Sequence, residues 1–359
     1  MIVLKNELLN AAKEASKAMR PSDIPVMKCL KLDVVNGKLQ ITGSSPVITI
    51  RKVIPVEKLD DFKPVAINAN LFLKFLMKVT SEKIRMVNQE SKSKDDYEPL
   101  ELVIVGGNFR CKLPVIEIDK WLELDRIENP NYEVTIASDV LRRDIESCMH
   151  AVGLKSNNMI MESVYMHYGS GFSAMAVDGF RISVRDGCND IKFSLLVDGI
   201  IMKELIKILN GIVTVAVKGQ IAMFSDGKSI ISVIQTRGKY YNLEPLIGQH
   251  THIHVHFNRI ELINALEAVT VIKNIVVIRL HGDKAVVSTR ESTGDVTVEL
   301  DVTNNVDYDF QIALNSSYLI EALKSLREEV VMLEFISKIS PIIIREGNAL
   351  ELVLPVNMR

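Results

Sequence analysis

The stretch Val134–Val152, VTIASDVLRRDIESCMHAV, decides the fold. Val134-Thr135-Ile136 alternates as a short strand does, and Ser138-Asp139 then offers side-chain oxygens for a helix N-cap, where the amide protons of the first turn lack partners. Leu141, Ile145, Met149 and Val152 follow at i, i+4, i+8 and i+11, the spacing of one apolar helix stripe. Arg142 and Arg143 lie off that stripe. The unit is therefore strand, cap, and a helix with one apolar and one basic flank.

The same unit stands on either side of it. At the N-terminus Ile2-Val3-Leu4 is the strand and Asn6 the expected cap. Leu8, Ala12, Ala15 and Met19 share one face, with Lys13, Lys17 and Arg20 roughly opposite, and Pro21 ends the helix. The last copy opens with HIHVHFNRIELINALEAVTVI; Asn258 is its cap, and Ile260, Ile263, Leu266 and Thr270 make one side. Each copy has a second helix. One begins near Asn68, with Phe72, Phe75, Leu76 and Val79 inward and Lys74 and Lys78 outward. Another follows Asp198, with Ile201, Leu205 and Leu209 inward and Lys203 and Lys207 outward. The last follows Asn315, with Leu319, Leu323 and Leu326 inward and Lys324 and Arg327 outward. Strand-like alternation fills the intervals, with Asn36-Gly37 as a hairpin turn. The two helices of a copy are about 60 residues apart and copies recur roughly every 120 residues, too long a period for a solenoid.

This order predicts an α+β chain of three tandem domains, each with two helices laid on antiparallel strands. Their expected spans are 1–127, 132–248 and 250–359, with Asp125–Asn131 and GKYYNLEPLIGQ as linkers and SKSKDDYEP as a polar loop. The chain has 359 residues, 47% of them hydrophobic and 25% charged, the balance of a soluble globular protein. Apolar runs stay short of the ~18 residues of a membrane span. Lys5 and Glu7 break any signal-peptide pattern, so a cytoplasmic location without membrane partners is expected. Cys29, Cys111, Cys148 and Cys188 form no CxxC pair and read as buried free thiols.

The net charge of −2 gives no global attraction to nucleic acid, so any basic surface is local. Most of the helices place Lys or Arg away from their apolar stripe. Such side chains contact phosphates without reading sequence, and binding of that kind is salt-sensitive and permits sliding. Tandem β-rich domains also leave outer sheet edges open, which head-to-tail association of identical chains closes into a ring.

At four places the residues resemble a known family, the bacterial DNA polymerase III beta subunit or sliding clamp. Arg20-Pro-Ser-Asp-Ile-Pro-Val-Met-Lys-Cys-Leu-Lys-Leu resembles its segment ending in Pro-Ile-Leu before a strand. Ala176-Val-Asp-Gly-Phe-Arg-Ile-Ser183 is similar to its Ala-Thr-Asp-Gly-His-Arg-Leu-Ala. Leu314-Asn-Ser-Ser-Tyr-Leu-Ile-Glu-Ala-Leu323 is similar to its Phe-Asn-x-x-Tyr-Leu-x-Asp-x-Leu, and Leu354-Pro355-Val356 to its Met-Pro-Met/Val.

The resemblance implies a three-domain DNA-clamp fold forming half of a ring, and a non-enzymatic processivity factor without cofactor. Two copies join head to tail around double-stranded DNA and tether the replicative polymerase; an ATPase clamp loader opens the ring. On this reading Lys13, Lys17, Arg20, Lys74, Lys78, Arg142, Arg143, Lys203, Lys207, Lys324 and Arg327 face DNA. Polymerase and loader subunits insert short linear peptides into a pocket. Matched by position, it comprises Ile160, Val177, Gly179, Phe180, Arg181, Ile182, Leu246, Asn315, Tyr318, Ile339, Pro341, Leu354, Pro355 and Val356. Val271 and Ile272 match an apolar dimer patch, with Phe109 as counterpart. Phe180 stands where the family often has His, Tyr241 and Pro245 stand near a family Pro and Arg, and the tail Asn357-Met358-Arg359 differs.

Other chemistry is weakly signalled. His250, His252, His254 and His256 would share one strand face, and imidazoles so spaced can bind zinc or copper. Ile253, Val255 and Phe257 alternate with them, so the segment reads as a half-buried strand with a polar outer face and no metal site is expected. Gly169–Ser173 lacks nucleophile-elbow spacing, and neither GxxxxGKS/T nor a helix-opening GxGxxG occurs. Two competing readings are a clamp-like peptide scaffold with weakened DNA encirclement, and a metal-dependent enzyme using His250–His256.

Overall fold

Alternating apolar residues and short turns give an almost wholly antiparallel molecule, with helices covering the apolar sheet faces. The computed structural model describes residues 1–90, 100–116, 118, 121–248, 250–306 and 308–357. SKSKDDYEP and the last two residues lie outside them. The helices are α1 (Lys5–Ser16), α2 (Ala69–Lys78), α3 (Ser138–Cys148), α4 (Gly199–Leu205), the single turn α5 (Glu244–Ile247), α6 (Arg259–Thr270) and α7 (Ser316–Lys324). None of the described helices is long and apolar enough to cross a membrane.

The chain forms two compact units: residues 1–139 with 204–235, and 140–203 with 236–359. In the first, one twelve-stranded sheet runs in the order Ile2–Leu4, Lys83–Glu90, Leu100–Gly106, Phe109–Ile116, Val65–Asn68, Cys29–Val35, Lys38–Ser44, Ile48–Ile54, Ser229–Ile234, Ile221–Ser225, Ile212–Lys218, Tyr132–Ala137. The last four strands come from the middle repeat, joined to the first by pairing of Ile50 with Ile231 and their neighbours. The core beneath α1 and α2 gathers Leu8, Ala12, Leu30, Ile41, Phe72 and Leu76. A Cβ on Gly43 would collide with the Ala15 carbonyl, so glycine is what lets α1 settle onto strand Lys38–Ser44.

In the second unit a nine-stranded sheet joins the middle and last repeats, with Arg181–Asp186 paired to Ala349–Val353. A four-stranded sheet comprises Gly294–Asp301, Lys284–Glu291, Ile275–His281 and Phe310–Asn315. Leu262, Leu266, Val269, Leu319 and Leu323 pack α6 and α7 onto this part of the unit.

Five helices start in the same way. The first helical N–H is met by the carbonyl of the residue just before a strand: Lys5 by Glu82 (2.8 Å), Ser138 by Gly211 (2.8 Å), Gly199 by Glu162 (2.9 Å), Arg259 by Glu329 (2.8 Å) and Ser316 by Asn274 (2.7 Å). That explains two corrections. Asn6 does not cap α1, which begins at Lys5 after Leu4 with no side-chain cap. Ser138 is the first helical residue of α3 rather than a residue preceding it. Asn68, Asp198, Asn258 and Asn315 do accept from first-turn amides as expected. The inward face of α6 is also corrected: Ile260 is 49% exposed, and Leu262, Ile263, Ala265, Leu266 and Val269 are buried. Ile260 sits two positions from Leu262, about 200° around the helix, and so points away from the sheet.

Asn36 and Gly37 both have positive φ, 51° and 72°, as a two-residue hairpin turn requires. Residues 238–248 are no free linker: Leu243 is buried, and Tyr240 and Ile247 pack against the core under the seam strands.

Candidate partner pocket, basic helix faces and sheet edges

The pocket residues all fall in the second unit. Strands Phe172–Val177 and Arg181–Asp186 form a hairpin whose turn is Asp178-Gly179-Phe180. Gly179 takes φ 89°, a conformation costly for other residues. Asp178 Oδ1 accepts from the amides of Phe180 (2.9 Å) and Arg181 (3.0 Å), so the turn is locked and its Phe180 ring stands 57% exposed. Below it Val177, Ile182, Val184, Ile343, Leu350 and Leu352 form a buried apolar floor.

The chain end is stitched down beside this hairpin. Leu354 N–H donates to the Phe180 carbonyl (2.8 Å) and Val356 N–H to that of Ala313 (2.8 Å), with Pro355 bridged to Leu314. Both backbone N–H groups of the Leu354-Pro355-Val356 strap are therefore used. Asn315 spends its side chain capping α7. One turn on, Tyr318 stacks on Phe180 with centroids 5.9 Å apart. The Arg181 guanidinium lies 4.5 Å above the Tyr318 ring, bound to Asp178 (2.8 Å) and to Glu321. Sequence reading missed this restraint. Spacing gives no sign of it, because Arg181 and Glu321 lie 140 residues apart in the chain.

Pro341 immediately precedes the pairing of Ile342 with Val353, which places it at the strap. Ile339 is 69% exposed in the preceding loop. Leu246 is exposed on α5, whose Ile247 carbonyl accepts from Arg345 (2.7 Å). Ile160 lies against Gly238. Its neighbour Met161 reaches the Gly179 turn. Tyr240 stacks on Tyr165 at 4.6 Å, and Tyr241 Oη accepts from Asn158 (2.9 Å). The structure thus gathers Gly179, Phe180, Arg181, Asn315, Tyr318, Leu354, Pro355 and Val356 through direct contacts. Leu246, Ile160 and Ile339 belong to flanking segments.

The basic helix residues are less free than their spacing implies. Lys13, Lys74, Lys78, Lys203 and Arg327 are exposed. Arg20 turns back onto the carbonyls of Lys17 (2.9 Å) and Met19 (3.2 Å). Lys17 and Lys207 both pair with Glu204, Arg143 with Asp144 (2.7 Å) and Lys324 with Glu267 (2.7 Å). Arg142 is half-buried and also engaged.

Among the described residues, strands Phe109–Ile116 and Gly294–Asp301 each leave an edge unpaired over most of their length. Strand Phe109–Ile116 pairs along its length with Leu100–Gly106, but on its other side only Val115 and Ile116 are paired. Its exposed residues include Phe109, Arg110 and Lys112. Strand Gly294–Asp301 is the end strand of the four-stranded sheet, with Asp295, Thr297, Glu299 and Asp301 exposed. Val271 is 82% exposed, and Ile272 lies 3.8 Å from where a Gly294 side chain would start.

The histidine strand behaves as a half-buried strand. Ile253, Val255 and Phe257 are buried, His252 and His256 are exposed, and His254 contacts Thr251 (3.1 Å). Among the described residues no group of three or more His, Cys, Asp or Glu is placed to hold a metal. All four thiols are free, and burial pushes Cys148 up to about 12.

Residues 245–357 match the family model for the DNA polymerase III beta subunit, C-terminal domain. The Bacillus subtilis beta sliding clamp is 22% identical over 380 residues, spanning 99% of this chain and 98% of the relative. A Staphylococcus aureus beta sliding clamp is 19% identical, with the same coverage. Among solved structures, the Bacillus subtilis DNA polymerase sliding clamp superposes with a TM-score of 0.89 at 20% identity, covering 100% of this chain and 99% of that one. The Pseudomonas aeruginosa DNA polymerase III subunit beta superposes with a TM-score of 0.91 at 16% identity, covering all of both chains. Another Pseudomonas aeruginosa sliding clamp, TM-score 0.89 and 16% identical, was solved bound to griselimycin. At these identities the superpositions establish the fold.

Proposed function

The chain is a homologue of the bacterial beta sliding clamps along nearly its whole length, and from that premise we propose that it is the processivity factor of a DNA polymerase III. It is a non-enzymatic ring that encircles duplex DNA in the cytoplasm and tethers the polymerase. The observation that carries this reading is the joint coverage: sequence and fold match clamps from end to end.

The three repeats act as clamp domains with approximate spans 1–127, 132–248 and 250–359. Two copies close head to tail, with strand Phe109–Ile116 of one protomer added to strand Gly294–Asp301 of its partner. Both edges are open, and their exposed charges are opposite: Arg110 and Lys112 on one, Asp295, Glu299 and Asp301 on the other. Such complementarity fixes register and disfavours wrong pairings. Phe109, Val271 and Ile272 supply the apolar part of the contact. The exposed basic helix residues meet phosphates without reading bases. The Phe180–Leu354 site takes short linear peptides from polymerase and loader subunits, offering an apolar floor and few orienting polar groups.

Retention on nicked circular duplex tests the ring. The protein, once loaded, should stay with the circle through gel filtration and be lost when the circle is linearised; equal retention on both forms would leave only surface binding. Light scattering tests the interface. The native chain should show about twice the chain mass, in keeping with a closed two-fold assembly. Arg110→Glu with Lys112→Glu should give single chains, and adding Glu299→Lys with Asp301→Lys should restore pairing.

A further inference from the structure

Glu204 joins two helices at a point where charge matters for the proposed function. One carboxylate oxygen contacts Lys17 Nζ, just beyond the end of α1, at 3.3 Å, and the other contacts Lys207 Nζ, just beyond the end of α4, at 3.4 Å. All three side chains are about one-third to one-half exposed. Burial opposes the charge on Glu204, but the hydrogen bonds and fields of Lys17 and Lys207 outweigh it and hold its carboxyl below the ordinary range. The carboxylate is therefore ionised at neutral pH and makes one contact with each ammonium group. Its neighbour Arg20 is likewise spent on its own helix end. Along this part of the first unit, Lys13 of α1 is exposed and makes no ion pair among the described residues.

We propose that Glu204 is an internal competitor for the DNA backbone, holding Lys17 and Lys207 off the phosphates and keeping the grip on the duplex light. This rests on the DNA-encircling reading above. A carboxylate and a phosphate oxygen offer an ammonium the same kind of charge-assisted hydrogen bond. A phosphate therefore competes with Glu204 for either lysine, and the nearby carboxylate repels the incoming phosphate. A tether held by topology gains from this arrangement. Each retained phosphate contact adds to the counterion-release term and to the friction of movement along the duplex, whereas ring closure retains the DNA without them.

The test is fluorescence anisotropy with the full-length protein and a labelled 30-base-pair duplex, at salt concentrations from 50 to 200 mM. Glu204→Gln keeps the side-chain shape and removes the charge. It should tighten binding at the low-salt end by about three- to tenfold. Two further phosphate contacts should also steepen the salt dependence, adding roughly a further tenfold loss of affinity across that range. Lys17→Gln/Lys207→Gln/Glu204→Gln should return affinity and slope to the native values or below. A Glu204→Gln protein that melts with the native one yet binds DNA no more tightly, or less tightly, overturns the competitor role. It would show that the carboxylate positions the lysines or is neutral. If Glu204→Gln fails to fold, Glu204→Ala and Lys17→Gln are read instead; no gain from the first, or a large loss from the second, overturns the proposal equally. A native protein with no salt-sensitive DNA binding, and no retention on nicked circles, brings down the encircling reading itself and the competitor role with it.

Discussion

Arg185 Nη1 donates to Glu351 Oε1 at 2.8 Å across the paired strands Arg181–Asp186 and Ala349–Val353, with both side chains almost wholly buried. The same carboxylate accepts from Ser183 (2.8 Å) and Ser325 (2.9 Å), and its other oxygen meets His150 (3.0 Å). The strand pair that joins the middle and last repeats is thus pinned by a satisfied ionic cluster. The first unit has a parallel device: Arg51, on a strand pairing with Ser229–Ile234, binds Ser232 (3.2 Å) and Glu123 (3.4 Å). Thr49-Ile50-Arg51 and Ser183-Val184-Arg185 share the same hydroxyl, β-branched, arginine order.

Arg185→Met strands the Glu351 carboxylate in the interior. The expected cost is about 3–5 kcal/mol, because a buried charge that loses its partner keeps its desolvation penalty. Arg185→Met/Glu351→Leu should recover much of that loss. Urea unfolding, followed by a probe in the second unit, measures both. A double variant as unstable as the single one would assign the effect to packing.

Phe180 is exposed and held by its turn, so Phe180→Ala should change stability by no more than ~0.5 kcal/mol. Its ring forms the rim of the proposed pocket beside Tyr318 and Leu354. Removing this exposed aromatic ring should weaken binding of a polymerase-derived peptide by about 2 kcal/mol, some thirtyfold. Replacing Leu354-Pro355-Val356 by alanines should abolish peptide binding and leave the mass of the assembly unchanged. Calorimetric titration reads both effects, and unaltered peptide affinity would place the pocket elsewhere.

His167 is buried, and burial lowers its pKa below the ordinary value despite the nearby Asp186 carboxylate at 3.9 Å. The folded state thus resists protonation that the unfolded chain accepts. Above the unfolded pKa of about 6.5 both states are neutral and the group is silent. As pH falls below that value towards the lowered folded pKa, the unfolded state binds the extra proton and stability declines. His167→Gln should flatten this part of the acid limb. Thermal melts between pH 7.5 and 5 compare the two proteins, and parallel curves would exclude His167 as the titrating group.

Much of the architecture was legible along the chain. Helix stripes such as Leu319, Leu323 and Leu326, and the caps Asn68, Asp198, Asn258 and Asn315, act within one turn, so sequence spacing reports them directly. The hairpin at Asn36-Gly37 is equally local. Asn6 misled because α1 takes its first partner from Glu82, nearly eighty residues away. Ile260 misled because a hydrophobic residue at a helix start carries no mark of whether the sheet reaches it. In the pocket, the motif around Asp178-Gly179-Phe180 was readable, whereas the Arg181–Glu321 pair spans the middle and last repeats and leaves no local trace.

By itself the sequence determined the repeat: strand, helix, strands, second helix, three times over, with basic residues off the helix stripes. Those properties follow from periodicity, which is set residue by residue. Only the tertiary structure decided which repeats share a sheet, which carboxylate captures which lysine, and which strand edges stay unpaired. Such pairings depend on groups far apart in the chain meeting at hydrogen-bond distance, and no spacing rule encodes them. Lys17 and Lys207 look alike as spare charges in the sequence; in the folded chain they share Glu204.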